Sequence, residues 1–338
     1  MRTCKLLAVL AVAAAAVVML PGTAMAVPTP PTQPASGPGG GSYPWSSYVL
    51  RVRTFPNYDL NYATYEPAGW VGGGSAPTTA KIVVFVHGYT YNTTPYYQEW
   101  LRHLVRKGNI VIFPTYQTQY TNAAYFTSNA IWSTKDAISY MNAVATVKPD
   151  TAGGMTLISH SWGGPVSANM AARWSSQGLP QPKALLFAEP YNQTIDSSLA
   201  GIPSTTKIDC VVGNYDTIVG RTGCDALWPK LGHISSANKN YVWMSSDYRG
   251  SPSLVSDHNA PAELNGVSSV DALDWYGFWK LGDAVRDCGM LGSNCATALG
   301  GGTAQTNMGT WSDGVPVVPL SVTTGIPACP PGSYALGC

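Results

Sequence analysis

Apolar and polar positions along the chain fall into short β-type runs that alternate with longer helix-type runs. Ser47 to Thr54 and Tyr62 to Glu66 predict two early strands, and Lys81 to His87 is an almost unbroken apolar run ending in His87-Gly88, the pattern of a strand buried on both faces. Pro95 to Lys107 follows as a helix with Trp100, Leu101, Leu104 and Val105 on one side, then Asn109 to Pro114 as a strand and Ala123 to Val147 as a long helix. Met155 to Ser159 is a strand that runs directly into a turn at Ser161, and Pro165 to Gln177 is the helix after it. Strands over Lys183 to Ala188, Lys207 to Val212 and Asn240 to Met244 complete the series before a helix over Asp271 to Asp287, whose Ala272, Trp275, Tyr276 and Trp279 share a face. Alternation of this kind predicts an α/β fold with a mostly parallel sheet covered by helices on both faces.

The two ends of the chain break the pattern. Residues 1 to 26 have the form of an export signal: Arg2 and Lys5, an apolar run from Leu6 to Leu20, then Ala24-Met25-Ala26 as a small-x-small cleavage site. The run is about 15 residues, short of the roughly 20 that a spanning helix needs. A secreted mature chain beginning near Val27, without integral membrane association, is therefore expected. Val27 to Pro44 holds six Pro and four Gly in eighteen residues, which predicts a mobile, extended arm. Residues 45 to 287 are expected to form the folded domain. Residues 288 to 338 are rich in Gly and Pro, with Val315 to Val322 as their one strand-like run, and read as a tail tied down by disulfides.

Composition narrows the partners. Charged residues make up 11% of the 338-residue chain, against roughly 25% in an average soluble protein, and the formal net charge is +1. That leaves no basic field for nucleic acid or anionic lipid. Seven cysteines become six once Cys4 leaves with the signal, and none has metal-site spacing. In an oxidising compartment Cys210 with Cys224, Cys288 with Cys295, and Cys329 with Cys338 are the sequence-local pairs. The first of these would close a loop around Asp216.

The chemistry concentrates at Ser159-His160-Ser161-Trp162-Gly163-Gly164, between a buried strand and a helix that opens with small residues. A serine on so tight a turn, with small residues two before and two after, has the form of a nucleophile elbow. A serine hydroxyl needs a histidine base and an acid to orient it. Asp216, in the loop after the Lys207 to Val212 strand, is the candidate acid, with Glu189 as its rival. His258, in the polar loop Ser256 to Pro261, is the candidate base, with His233 as its rival. Two backbone amides, those of Tyr89 and Trp162, are placed to hold an oxyanion.

Val83-Val84-Phe85-Val86-His87-Gly88, Ser159 to Gly164, Asp216 and His258 together resemble the α/β-hydrolase superfamily over about residues 45 to 287. The elbow carries Ser159 where that superfamily usually has Gly. His87-Gly88-Tyr89-Thr90, Ser161 followed by Trp162, and Asp216-Thr217-Ile218-Val219 are similar to secreted lipases and cutinase-like polyester hydrolases, and Ser246 to Pro261 faintly resembles chlorophyllases. The resemblance implies a monomeric serine hydrolase that needs no cofactor and cleaves a small, lipid or polymeric carboxylic ester through an acyl-enzyme. The same residues would also permit acyl transfer or peptide cleavage, and a non-catalytic extracellular binding protein on this fold is the alternative from another class. With neutral imidazole as base, activity is expected to rise with pH through about 6 to 7.

Overall fold

The structure, a computed structural model, describes residues 26–263 and 270–338. The export-signal residues Arg2, Lys5, Leu6 to Leu20, Ala24 and Met25 lie outside the described residues. Among those described, no helix is long and apolar enough to cross a membrane.

Ten strands build one mixed, mostly parallel sheet: β1 (Trp45–Arg53), β2 (Tyr62–Trp70), β3 (Thr79–Val86), β4 (Asn109–Pro114), β5 (Lys148–Pro149), β6 (Met155–His160), β7 (Pro182–Ala188), β8 (Lys207–Gly213), β9 (Lys239–Met244) and β10 (Ser321–Thr323). Their order is β1-β2-β4-β3-β6-β7-β8-β9-β10, with β5 pairing β3 off this path. The pairs from β4 through β3, β6, β7 and β8 to β9 are parallel, whereas β1 with β2, β2 with β4, and β9 with β10 are antiparallel.

Period-2 alternation splits the apolar runs between two cores. Ile82, Val84, Val86, Leu157, Leu185 and Phe187 point to one face, while Val83, Phe85, Ile158, Leu186 and Ala188 point to the other. On the first face lie α2 (Phe126–Val144), α3 (Gly163–Ala172) and α5 (Thr222–Leu227); on the second lie α1 (Gln98–Arg106) and α6 (Trp279–Leu291). The chain leaves β3 for β4 on one side and returns past β3 to β6 on the other. The crevice at the carboxyl ends of β3 and β6 is thus where the sheet order reverses, the usual ligand position in doubly wound sheets.

Several elements end elsewhere than their apolar runs suggest. The long helix stops at Val144 rather than Val147, because the Glu66 carboxylate accepts the amides of Thr146 and Val147 at 2.7 and 2.9 Å. The helix after the elbow starts at Gly163, earlier than Pro165, and breaks at Arg173, leaving α4 (Trp174–Gln177) as a separate turn. The strand expected over Val315 to Val322 reduces to β10, where Ser321, Val322 and Thr323 pair with Trp243, Val242 and Tyr241 and extend the sheet. In the tail, α7 (Cys295–Ala298) and α8 (Thr303–Thr306) precede it. All three expected disulfides are present: Cys210 to Cys224, Cys288 to Cys295 and Cys329 to Cys338.

The Pro- and Gly-rich segment expected to be a mobile arm is held along the body. Thr29 and Ser312 exchange two hydrogen bonds, at 2.9 and 3.0 Å, and the Pro28 carbonyl accepts the Ser251 amide at 2.9 Å. The Gly39 amide donates to Asp283 Oδ2 at 2.9 Å, and the same oxygen is 2.8 Å from His103 Nε2. Short polar side chains and turns can supply such anchors without any apolar core of their own, which composition alone does not register.

Burial would push the Asp283 carboxyl up, but His103 and, more weakly, Arg286 and Lys107 outweigh it and hold it at about 2. A carboxylate depressed on folding stabilises the folded state above its ordinary value of 3.8 and loses that contribution as pH falls towards 2. Asp283→Asn is expected to cost on the order of 3 kcal/mol at pH 7. Urea unfolding at a series of pH values should show variant and parent converging between pH 4 and about 2.

Candidate active site

Ser161 follows the last residue of β6 with φ of +54°, the left-handed backbone that side chains rarely adopt. Three contacts keep it there. Its amide donates to the Ala188 carbonyl at 3.1 Å, its carbonyl accepts the Gly164 and Tyr191 amides at 2.9 Å each, and Gly163 lies so close to β3 that a Cβ would sit 2.0 Å from the Val86 carbonyl oxygen. Only glycine fits there. The strand-to-helix turn therefore projects the Ser161 side chain into a cleft of about 480 Å³.

The three polar groups singled out from separate loops meet at this point. His258 Nε2 is 2.9 Å from Ser161 Oγ, and His258 Nδ1 is 2.9 Å from Asp216 Oδ2. A carboxylate only accepts, so Nδ1 carries the proton and Nε2 is left to accept from the serine hydroxyl. Asp216 Oδ1 also accepts the amides of Ile218 and Val219 at 2.9 Å each. Burial pushes the Asp216 carboxyl up, yet the hydrogen bond and charge of His258, with the Val219 amide, outweigh it and hold it below the usual range. It stays ionised.

Neither rival makes these contacts. His233 is exposed, and its Nε2 lies 2.9 Å from the Ile202 carbonyl. Glu189 follows β7 with its Oε2 3.9 Å from His258 Nδ1, too far for a hydrogen bond. Tyr89 and Trp162 line the cleft beside Ser161, with Tyr91, Tyr191 and Ile218 forming more of its wall. The Trp162 amide belongs to the first turn of α3, among the N–H groups that a helix start leaves without an internal acceptor.

His160 and Tyr97, given no role in the sequence pattern, brace the His258 loop. His160 lies fully buried, and its Nε2 is 2.8 Å from the His258 carbonyl while its Nδ1 is 2.7 Å from the Tyr97 hydroxyl. Burial, and then the neighbouring His258, lower the His160 pKa to about 3, so the ring is neutral. A carbonyl only accepts; Nε2 therefore carries the hydrogen and Nδ1 accepts from Tyr97. The Tyr97 oxygen in turn accepts the Gly88 amide at 2.9 Å. This chain of bonds ties the base loop to the loop after β3 that presents Tyr89. Tyr91 adds a second tie, donating to Asn259 Oδ1 at 3.0 Å. Ligand atoms of His160, Glu189 and His258 lie within 4.8 Å of one another, but the ring nitrogens of both histidines are already bonded to other groups.

The acid loop is held from the other side by the C-terminal tail. The Asn214 carbonyl accepts the Tyr334 amide at 2.8 Å, the Asp216 carbonyl accepts the Leu336 amide at 2.9 Å, and the Leu336 carbonyl accepts the Arg221 amide at 3.0 Å. The disulfide between Cys210 and Cys224 closes the same loop, worth roughly 3 kcal/mol for a ring of this size. The chain matches no protein-family model and no curated protein. Deleting residues 327 to 338 is expected to speed amide hydrogen exchange over residues 214 to 221 at least about tenfold, equivalent to losing one or two hydrogen bonds, while strands β3 and β6 stay protected. Exchange mass spectrometry of parent and truncated chain makes the comparison.

Proposed function

We propose that the protein is a secreted serine hydrolase of the α/β-hydrolase fold that cleaves carboxylic esters. The observation that carries this reading is the unbroken run of contacts from Ser161 Oγ to His258 Nε2 and from His258 Nδ1 to Asp216, 2.9 Å at each step, on a serine held at positive φ. Three disulfides and a sparsely charged, Gly-, Tyr- and Trp-rich composition favour export.

In this reading His258 accepts the Ser161 proton as Oγ attacks the ester carbonyl, and it returns that proton to the departing alcohol. Asp216 fixes the tautomer and stabilises the imidazolium that forms. The amides of Tyr89 and Trp162 face the developing oxyanion, and the positive end of the α3 dipole lies on the same side. The acyl-enzyme is then attacked by water, activated by His258 in the same way. Trp162 and Tyr191, with ring centroids 4.6 Å apart, give the cleft an aromatic wall.

Turnover of p-nitrophenyl esters from acetate to palmitate tests the reading. The mature chain is expected to hydrolyse at least part of the series, and Ser161→Ala to lower kcat by about 10⁴-fold or more with folding intact. Equal rates in the two proteins would contradict it.

A further inference from the structure

Glu189 is a buried carboxylic acid beside the candidate triad with no role in it. It follows Ala188, whose carbonyl accepts the Ser161 amide, and it has φ of +48° immediately before Pro190. Its side chain is fully buried, and neither carboxyl oxygen has a hydrogen-bond partner among the described residues. Oε2 nevertheless lies 3.9 Å from His258 Nδ1, the atom that Asp216 Oδ2 holds at 2.9 Å. On its far side the carboxyl is pressed against Gly213, where a Cβ would sit 2.4 Å from Oε1, so it has little room to turn away.

A buried, unpartnered acid is costly and is rare in folded proteins. Burial, with the charges of Asp216 and Asp257, pushes the Glu189 pKa well above the usual carboxyl value, so it is neutral beside an ionised Asp216. Two carboxylates at one imidazole in so dry a site would repel, and only one ionises. The other groups around His258 are His160, which is neutral, and the Ser256 hydroxyl, which like Glu189 lacks a partner among the described residues.

We propose that Glu189 is a positioning residue for His258, a second acid on Nδ1 that takes the Nδ1 hydrogen when Asp216 is absent and otherwise confines the ring to the Asp216 bond. This rests on the triad reading above. With Asp216 ionised, the Glu189 proton keeps the charge facing the base at a single negative unit. With Asp216 replaced by a neutral residue, one of the two neighbouring charges is gone and Oε2 closes about 1 Å to hydrogen-bond distance of Nδ1, a bond that favours the carboxylate against the burial that raises its pKa.

A double-mutant cycle on the full mature chain, read in two ways, tests the proposal. The variants are Asp216→Ala, Glu189→Gln and the two combined, with Asp216→Asn as the second background should Asp216→Ala fail to fold. Glu189→Gln is expected to lower kcat at least about thirtyfold more in the Asp216 variant than in the parent, the non-additivity of groups that act on one atom. The downfield Nδ1 proton resonance of His258 is expected to persist in the Asp216 variant and to vanish in the double variant. The same kcat factor in both backgrounds, or loss of that resonance on replacing Asp216 alone, would overturn the proposal. The resonance is read without turnover, so a chain that hydrolyses no ester would refute the hydrolase reading while the spectrum still decides whether Glu189 holds His258.

Discussion

Ser161 sits in left-handed backbone at φ of +54°, and every other part of the site depends on its staying there. A non-glycine residue in that region costs on the order of 1 to 3 kcal/mol and persists only where its surroundings over-determine it. Here the surroundings are the amide bond to Ala188 on β7, the carbonyl bonds from Gly164 and Tyr191, and the absence of any side chain at Gly163, where β3 passes at contact distance. The turn thereby points Oγ out of the carboxyl end of β6, at the crevice where the sheet order reverses. Relaxing the backbone to ordinary helical or extended angles would turn the hydroxyl away from His258, and the Asp216 and His258 loops would face nothing.

The remaining geometry arises from loops that have little core of their own and are tied to one another by directional bonds. The base loop is braced through His160 and Tyr97 to Gly88, and through Asn259 to Tyr91. The acid loop is closed by the Cys210 to Cys224 bridge and paired, backbone to backbone, with the C-terminal tail. Because β3, β6, β7 and β8 lie side by side in the sheet, each loop needs only a few such bonds to fix its end point. Pre-organisation of this kind holds a serine, a histidine and an aspartate from three separate loops in one hydrogen-bonded arrangement.

Much of this was readable along the chain. Ser161, Asp216 and His258 stand in order after β6, β8 and β9, flanked by small residues and loop formers, and the cysteines pair locally because each pair is separated by only 14, 7 or 9 positions. The strands of the parallel core were legible from their apolar runs, Asn109–Pro114 to the residue. What escaped has a physical reason in each case. Tyr334 and Leu336 act through main-chain amides, which carry no side-chain signature, and the arm around Gly39 is anchored by a carboxylate 244 positions away. His160 and Tyr97 are brought together across 63 residues, and the end of the long helix was decided by Glu66 rather than by its own sequence.

Covalent labelling tests the central claim most directly, because a fluorophosphonate reacts with a serine only when base and oxyanion donors are in place. Intact mass and peptide mapping are expected to show one adduct per chain, on Ser161, and labelling of His258→Ala slowed by about 10³-fold or more. A folded chain that takes up no adduct, or takes it up at another residue at the same rate in both proteins, would contradict it.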